Sequence, residues 1–284
     1  YGKTPPCTEA ILEHHIARVV IGSLDPNPLV AGKGMRILRE KGISVAEGVL
    51  KEKCDGINEV FFHYIRTKTP YVTMKYAMTL DGKIATRAGH SKWITGNPAR
   101  VRVHEDRNRH MSIMTGVGTV LTDDPMLNCR LPGGRQPVRL ILDTHLRTPL
   151  TAQVITTAGE IPTWLLTCCE DTEKQERYRE KGCQVLKMAE KDGHVDLCQA
   201  MKLLGERGID SIYLEGGERL NGAALEAGIV RAVHCYIGAK FFGGSDARTP
   251  VGGNGVELPG QAPGVEIRDV TFYGEDILVE GVLL

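Results

Sequence analysis

A ten-residue stretch, SIYLEGGERL at positions 211–220, decides the fold. Its first four residues have the apolar and aromatic character of a short buried strand, and a helical pattern begins at Leu220. Glu215, Gly216 and Gly217 lie between them, so the strand runs almost directly into the helix. Bare glycine amides at the start of a helix can cradle a phosphate, although the two glycines are equally compatible with a simple tight turn. A strand that feeds a helix in this way is the building unit of α/β proteins.

The same alternation extends outward from this stretch in both directions. Strands are predicted at 71–78, 111–115, 138–143, 163–167, 184–188, 211–214 and 232–239, and helices at 98–109, 174–181, 195–207 and 220–227. Alternating strands and helices predict a mainly parallel sheet that is covered on both faces. The last strands, including a hairpin across 265–284, follow without helices and predict an antiparallel edge.

The N-terminal part has a different organisation. A helix at 8–17, a strand at 18–23, a turn-rich loop at 25–34, a helix, a short strand and a helix at 51–66 are predicted before Pro70. We therefore predict two domains, 1–67 and 68–284. Three helices with only two strands make the first short for an independent domain, and the chain opens at Tyr1, so we expect it to be the remainder of a longer polypeptide.

Composition narrows the class of protein. The chain has 284 residues, of which 42% are hydrophobic and 25% charged, which indicates an ordinary globular protein and excludes collagen, coiled coil and disorder. Thirty-five basic residues balance thirty-five acidic ones, so no overall field favours nucleic acid or a membrane. The sequence has neither a membrane-spanning apolar run nor a signal-like start, and its eight cysteines are sparse. We expect a cytoplasmic protein with reduced thiols.

A second group of candidate residues surrounds Asp123 and Asp124. Both precede Pro125, and a helix or turn cap is the ordinary interpretation of such a pair. The predicted strand ends and loops nearby, however, carry residues suited to an anionic substrate beside a planar cofactor: Lys75, Ser91, Trp93, Arg107, Thr119 and Arg130. Two arginines can grip a phosphate, a lysine can place a proton, and an indole can pack on a ring. The segment 116–121 lacks the third glycine of a dinucleotide fingerprint.

Cys7 follows two prolines, as a zinc-ligating cysteine does in the zinc deaminase signature. A lone cysteine is more often a small hydrophobic residue. The signature also needs a His-x-Glu segment, which occurs nowhere in the chain, and His14 and His15 lie on a predicted helix where packing or solvation is their ordinary role. We expect no catalytic zinc in the sequence as it stands.

Together these segments resemble the bifunctional riboflavin-biosynthesis deaminase/reductase family. The resemblance spans the chain and is carried by YGKTPPC, DPNPLVAGKG, PYVTMKYAMTLDGKIAT, SKWIT, GVGTVLTDDPMLNCRLP, QPVRLILDT and YLEGGERLNGAAL. It implies a dihydrofolate reductase-like mixed sheet, preceded by the C-terminal part of a cytidine deaminase-like domain. It also implies that Cys7 is the one remaining zinc ligand and that zinc and deaminase activity belong only to the complete protein.

The resemblance also implies residue roles. The NADPH-binding positions would be Ala77, Trp93, Thr119, Asp123, Thr144, Gly217, Glu218, Arg219 and Leu220. The phosphorylated pyrimidine substrate would be bound by Ser91, Arg107, Leu127, Arg130 and Glu215. The implied reaction is reduction of the ribosyl side chain of 5-amino-6-(5-phosphoribosylamino)uracil to a ribityl chain, and we assign Lys75, Asp123 and Glu215 to orienting that chain and relaying protons. The family also implies a homo-oligomer.

Two alternative functions remain open on the sequence. A reductase of the same fold could act on another nucleotide-like substrate, since function depends on the site rather than on the fold. A non-catalytic NADPH-binding or assembly subunit is a second possibility. Arg147, near Thr144, suits a 2′-phosphate but is equally compatible with a solvated loop charge, so NADPH over NADH is not decided. A nucleic-acid deaminase is disfavoured by the missing ligands and the neutral charge.

Overall fold

The computed structural model describes residues 6–27 and 32–284. The chain divides into two compact units, of which the first ends at Thr69 and the second begins at Pro70. Residues 1–5, the first five of the segment YGKTPPC, and residues 28–31 of the predicted loop 25–34 lie outside the described residues. No described helix is long and apolar enough to cross a membrane.

In its described residues, the first unit contains four helices and a pair of strands. Its elements are α1 (Cys7–Glu13), β1 (Arg18–Ile21), α2 (Lys33–Glu40), β2 (Ser44–Glu47), α3 (Lys51–Gly56) and α4 (Glu59–Thr67). The two strands are parallel. The single helix predicted for 51–66 is wrong, because Asn58 interrupts it: its Nδ2 donates to the carbonyl of Cys54 at 2.9 Å, and a new helix begins after it.

The second unit is built on one large sheet. Its elements are β3 (Tyr71–Thr79), α5 (Asn97–Arg109), β4 (Ser112–Gly116), α6 (Val117–Asp123), β5 (Val138–Leu142), α7 (Gln153–Thr156), β6 (Thr163–Thr167), α8 (Thr172–Arg179), β7 (Gln184–Lys187), β8 (Glu190–Lys191), β9 (His194–Val195), α9 (Leu197–Glu206), β10 (Ser211–Leu214), α10 (Glu218–Glu226), β11 (Val230–Gly238), β12 (Val265–Tyr273) and β13 (Asp276–Leu283). The helix α6 was not predicted, because Thr119 was expected among strand ends and loops.

Nine strands lie in the order β12-β13-β11-β3-β10-β4-β5-β6-β7. From β11 to β7 all neighbours are parallel, whereas β13 is antiparallel to both β11 and β12. The predicted mixed sheet with an antiparallel C-terminal edge is therefore confirmed. The strand β10, which ends at Leu214, lies between β3 and β4 near the centre of the sheet.

The core has two apolar layers because successive strand residues face opposite sides of the sheet. On one side Met114, Leu140 and Ile212 pack with α9 and α10, and on the other Ile113 and Tyr213 pack with α5 and α7. The second layer is unusual because α5 contributes charged as well as apolar side chains to it; the buried residues of α5 are Ala99, Arg102, Val103, His104 and Asp106.

Arg139 anchors the loop between α6 and β5. Its guanidinium is fully buried and donates to the hydroxyls of Thr163 and Thr157 at 2.9 and 2.8 Å and to the carbonyls of Ile161 and Met126 at 2.9 and 3.2 Å. Burial lowers the pKa of Arg139 to about 10, which still leaves it charged at neutral pH. The bond to Met126 fixes the chain just before Leu127, the start of a segment implicated by the sequence.

Candidate active site

Three neighbouring parallel strands bring the central candidate residues together. Leu214 is in register with Met74 on β3 and Met114 on β4, so Glu215, the next residue, lies level with Lys75 and Thr115. The backbone nitrogen of Glu215 donates to the carbonyl of Met114 at 2.9 Å, and the Thr115 hydroxyl donates to the carbonyl of Glu215 at 2.8 Å. Two hydrogen bonds to β4 thus fix the backbone of Glu215 at the end of β10.

Glu215 is held by two cations. Arg107, from α5, donates through Nε to Oε1 at 2.6 Å and through Nη2 to Oε2 at 2.9 Å, and the Nζ of Lys75 lies 3.6 Å from Oε2. The Lys75, Arg107 and Glu215 side chains are 16, 13 and 12% exposed. Lys75 also lies over the ring of Tyr236, with Nζ 5.9 Å from its centroid. The three charges therefore form a nearly buried cluster that we call the 75–107–215 cluster.

The electrostatics of this cluster keep Glu215 ionised. Burial alone would raise the pKa of Glu215, but the charges of Arg107 and Lys75 and their hydrogen bonds outweigh it and hold the pKa at about 2. The site therefore presents a fixed carboxylate with a lysine ammonium beside it. A carboxylate accepts hydrogen bonds from hydroxyl groups, and an ammonium donates protons or positive charge.

Arg107 connects this cluster to the segment that carries Leu127 and Arg130. Its Nη1 donates to the carbonyl of Asn128 at 2.9 Å. Because its Nε and Nη2 edge faces Glu215, the bidentate phosphate grip expected from the sequence is not the arrangement that this arginine adopts. Leu127 itself is buried and has a φ of +48°, in the left-handed region. Arg130 is exposed, and its Nε lies 3.1 Å from Nε2 of His104.

Ser91 and Asp123 form a separate pair. The Ser91 hydroxyl donates to Oδ1 of Asp123 at 3.5 Å, and the Nζ of Lys92 donates to the Asp123 carbonyl at 3.4 Å. Among the described side chains no hydrogen bond or ion pair joins Asp123 to the 75–107–215 cluster. The cap interpretation fits Asp124, whose Oδ1 accepts from the backbone nitrogen of Gln153 at the start of α7, at 2.9 Å.

The glycine stretch lies at the start of α10. Gly217 is the N-cap residue, and a Cβ built there would meet no atom within 4 Å. A Cβ at Gly216, in contrast, would lie 2.5 Å from Oδ1 of Asn221. Glu218 contacts Arg248 at 3.9 Å, Arg219 is exposed, and Leu220 packs against the apolar layer of α9 and α10. Gly217 therefore has an open approach to the first-turn amides of a helix, whereas Gly216 is needed for packing.

The other implied cofactor positions are more dispersed. Trp93 is 59% exposed and stacks on Arg100, whose guanidinium carbon lies 4.5 Å from the ring centroid. Ala77 lies on β3 level with Tyr236. Thr119 is half-buried on α6, and Thr144 is half-buried after β5, where its carbonyl accepts from the Thr167 hydroxyl at 3.0 Å.

The structure also contains a buried polar network that the sequence did not indicate. Oδ2 of Asp106 accepts from the Tyr213 and Tyr236 hydroxyls at 3.2 and 3.1 Å and lies 3.2 Å from Nδ1 of His234. Arg102 lies 3.3 Å from Oδ1 of the same carboxylate. Tyr213, Tyr236 and His234 are distant from Asp106 in the chain, so spacing could not reveal them as its partners. The one sequence signal for this network was the composition of α5, which is rich in charged residues although it connects two buried strands.

Cys7 is exposed at the start of α1. In the described part of the chain no group of three His, Cys, Asp or Glu residues could hold a metal ion. The residues present therefore do not fit a zinc centre, and we derive no step through one.

The family relationship follows from comparisons with known proteins. The model of the RibD C-terminal domain matches residues 70–279. A riboflavin biosynthesis protein RibD of Actinobacillus pleuropneumoniae is 51% identical over all of this chain and 76% of its own length. The chain belongs to the RibD family. The resemblance expected from the sequence segments is thereby confirmed.

Solved structures of RibD proteins agree with this assignment. RibD of Acinetobacter baumannii covers the whole chain with a TM-score of 0.86 at 31% identity, and the chain covers 78% of it. A Thermotoga maritima diaminohydroxyphosphoribosylaminopyrimidine deaminase/5-amino-6-(5-phosphoribosylamino)uracil reductase covers the whole chain with a TM-score of 0.85 at 36% identity, and the chain covers 76% of it. The expected fold class, with a dihydrofolate reductase-like sheet after part of a deaminase-like domain, is confirmed.

Proposed function

We propose that the chain uses NADPH to reduce the ribosyl side chain of 5-amino-6-(5-phosphoribosylamino)uracil to a ribityl chain, a step of riboflavin biosynthesis. One observation carries the proposal: in a member of the RibD family, the 75–107–215 cluster lies at the end of β10, directly before the glycines that begin α10. A carboxylate and an ammonium suited to a sugar are thus next to a helix start suited to a phosphate-bearing cofactor.

The residues near α10 fit NADPH. Gly217 borders open space, since a Cβ built there would meet no atom within 4 Å, and the first-turn amides of a helix have no partners within the helix. Gly217, Glu218, Arg219 and Leu220 would hold a phosphate there. The exposed face of Trp93 would pack on a planar ring, and Ala77, Thr119, Asp123 and Thr144 would complete the cofactor contacts. The chemistry that NADPH supplies when bound is hydride donation.

Different residues would bind the sugar and the phosphate of the substrate. Glu215, ionised by Arg107 and Lys75, retains lone pairs that can accept from ribose hydroxyls. Arg107 is directed towards Glu215, so we assign the 5-phosphate to Arg130, whose guanidinium is exposed. Leu127 would contribute an apolar contact, and Ser91 with Asp123 would orient the pyrimidine end.

Lys75 is our candidate for the proton relay. Reduction of the opened sugar, as an imine or aldehyde, adds a hydride at C1′ and a proton at the neighbouring nitrogen or oxygen. Lys75 carries that proton as an ammonium 3.6 Å from Oε2 of Glu215, in a nearly buried position where water does not compete. Asp123 lies apart from this cluster and is assigned to orientation.

The test follows the loss of nicotinamide absorbance with the deaminated, phosphorylated pyrimidine and then with its dephosphorylated analogue. We expect turnover with the first and a much higher KM with the second. Lys75→Ala should lower kcat by at least ten-fold, consistent with the usual contribution of a general acid. Lys187→Ala is the matched control, because Lys187 pairs with Glu170 at 2.7 Å on the exposed edge of the sheet.

Other outcomes identify the alternatives. Cofactor binding without oxidation would indicate a non-catalytic subunit, and equal rates with both pyrimidines would indicate a reductase of another, phosphate-free substrate. Unchanged turnover in Lys75→Ala would remove lysine from the mechanism.

We further propose a cytoplasmic homo-oligomer, which sedimentation and cell fractionation would test. Self-association is supported by exposed apolar side chains along the edge strand β12: Ile267, Val270 and Phe272.

A further inference from the structure

His104 lies on α5 one helical turn before Arg107 and is buried. Its Nε2 lies 3.1 Å from Nε of Arg130, and the backbone nitrogen of Arg130 lies 3.3 Å from its Nδ1. The carbonyl of Asn128 also hydrogen-bonds the imidazole. A neutral imidazole has one donor and one acceptor nitrogen, so it can accept only one of the two contacts from Arg130; we take Nε2 as the acceptor of the shorter one, from the side-chain Nε, with the proton on Nδ1.

The imidazole stays neutral across the physiological range. Burial, followed by the charges of Arg107 and Arg130, lowers the pKa of His104 to about 4. An acceptor without charge can therefore orient Arg130 without cancelling its charge. Arg107 shows the opposite arrangement, because its partner is the ionised carboxylate of Glu215.

Arg130 is directed outward by this contact. In the described ranges no carboxylate oxygen lies within 4.0 Å of its guanidinium, and the side chain is exposed. With Nε donated to His104, the two Nη groups remain as the edge that matches two oxygens of a phosphate. A carboxylate in place of His104 would repel the same phosphate.

The backbone at this point is fixed as well. Gln136 accepts from the backbone nitrogen of Cys129 at 2.9 Å and donates to its carbonyl at 2.8 Å, and the Cys129 thiol donates to the His104 carbonyl at 3.5 Å. Arg130 therefore starts from a rigid backbone, and the imidazole contact to Nε fixes the guanidinium plane. Such preorganisation reduces the entropy lost when a ligand binds.

We propose that His104 is a positioning residue that sets phosphate selectivity by holding Arg130 through a neutral acceptor. This inference rests on the proposed function, because it assigns the 5-phosphate of the pyrimidine substrate to Arg130. His104 touches neither substrate nor cofactor and acts through the arginine.

The test compares kcat and KM for the phosphorylated pyrimidine and its dephosphorylated analogue in the wild-type chain, His104→Ala and His104→Gln. In His104→Ala we expect KM for the phosphorylated substrate to rise about ten-fold, since a hydrogen bond to a charged group is lost. The KM for NADPH and the kinetics with the analogue should stay within about two-fold of wild type. His104→Gln should recover most of the loss, because the glutamine Oε1 is also an uncharged acceptor.

His110→Gln is the matched control. It is a half-buried histidine that caps the C-terminal end of the same helix, with Nε2 3.1 Å from the Thr73 hydroxyl, and it does not contact Arg130. Its preference for the phosphorylated substrate should equal that of the wild type, whatever its stability. Circular dichroism and the NADPH KM establish that each variant folds.

Two results would overturn the inference while leaving the proposed function intact. One is an equal loss of activity towards both pyrimidines in His104→Ala, which is the signature of a structural role. The other is a His104→Gln variant as impaired as His104→Ala. A wild-type chain that oxidises NADPH with neither pyrimidine would instead overturn the proposed function, together with this premise.

Discussion

Replacing Glu215 with Gln should change how the stability of the chain depends on pH. In the folded protein the pKa of Glu215 is about 2, against an ordinary value of 4.5. Between these values the unfolded chain binds more protons, so the free energy of unfolding falls as pH falls. The shift corresponds to about 3 kcal/mol of stability at neutral pH, because one pKa unit is about 1.4 kcal/mol. Linkage predicts that about 1 kcal/mol of it is lost at pH 4 and about 2 kcal/mol at pH 3.

The Glu215→Gln variant cannot show this loss because it has no proton to gain. We expect it to be about 3 kcal/mol less stable than the wild type at pH 7 and only about 2 kcal/mol less stable at pH 4. Urea unfolding followed by circular dichroism at the two pH values measures the difference in the free energy of unfolding between the two chains, in which the titration of groups that do not interact with Glu215 cancels. Glu173→Gln, at an exposed pair with Arg177, is the control and should show no gap at either pH. A Glu215 gap that is the same at both pH values would refute the ion-pair reasoning.

Three further predictions concern single side chains. Gly217→Ala should have the melting temperature of the wild type but bind NADPH about ten-fold more weakly in a fluorescence titration. Gly216→Ala should instead lower the melting temperature, because its Cβ would lie 2.5 Å from Oδ1 of Asn221. Unchanged NADPH affinity in Gly217→Ala would argue against cofactor binding at the start of α10. Trp93→Ala should leave the unfolding free energy within about 0.5 kcal/mol of wild type but raise the KM for NADPH, and an unaltered KM would exclude the indole from the cofactor site. Arg139→Met should lower the free energy of unfolding in urea by about 3 kcal/mol, because four acceptors lose their donor. A variant as stable as the wild type would show that the buried guanidinium does not hold its loop.

The sheet could be predicted because its signals are local. The central strands β4, β5 and β10 are short apolar runs, and intervening helical patterns require parallel neighbours. The hairpin of β12 and β13 follows no helix, which places it at an antiparallel edge. The single helix predicted for 51–66 was wrong because a side chain competes with the backbone for a hydrogen bond. The side chain of Asn58 donates to the carbonyl of Cys54 and interrupts a helix that the apolar pattern continued.

The candidate site was predictable only in part. Strand ends and glycines mark positions such as Glu215 and Gly217, since parallel strands present their carboxyl ends at one edge. Which arginine pairs with which partner could not be read from the sequence, because the contacts of Arg107 and Arg130 join residues far apart in the chain. The sequence treated the two arginines as equivalent, but the structure gives one a carboxylate and the other an imidazole.

The helix α5 explains why these contacts belong together. Within four consecutive residues it carries His104, which contacts Arg130; Asp106, which binds the hydroxyls of Tyr213 and Tyr236; and Arg107, which binds Glu215. A charged helix against a sheet would be unstable if these groups lacked partners, since a buried unpaired charge is costly. The partners that stabilise the helix are therefore the same contacts that orient the site. A substitution that shifts α5 should alter Glu215 and Arg130 together, so under the proposed function the two ends of the sugar phosphate would be positioned by one element.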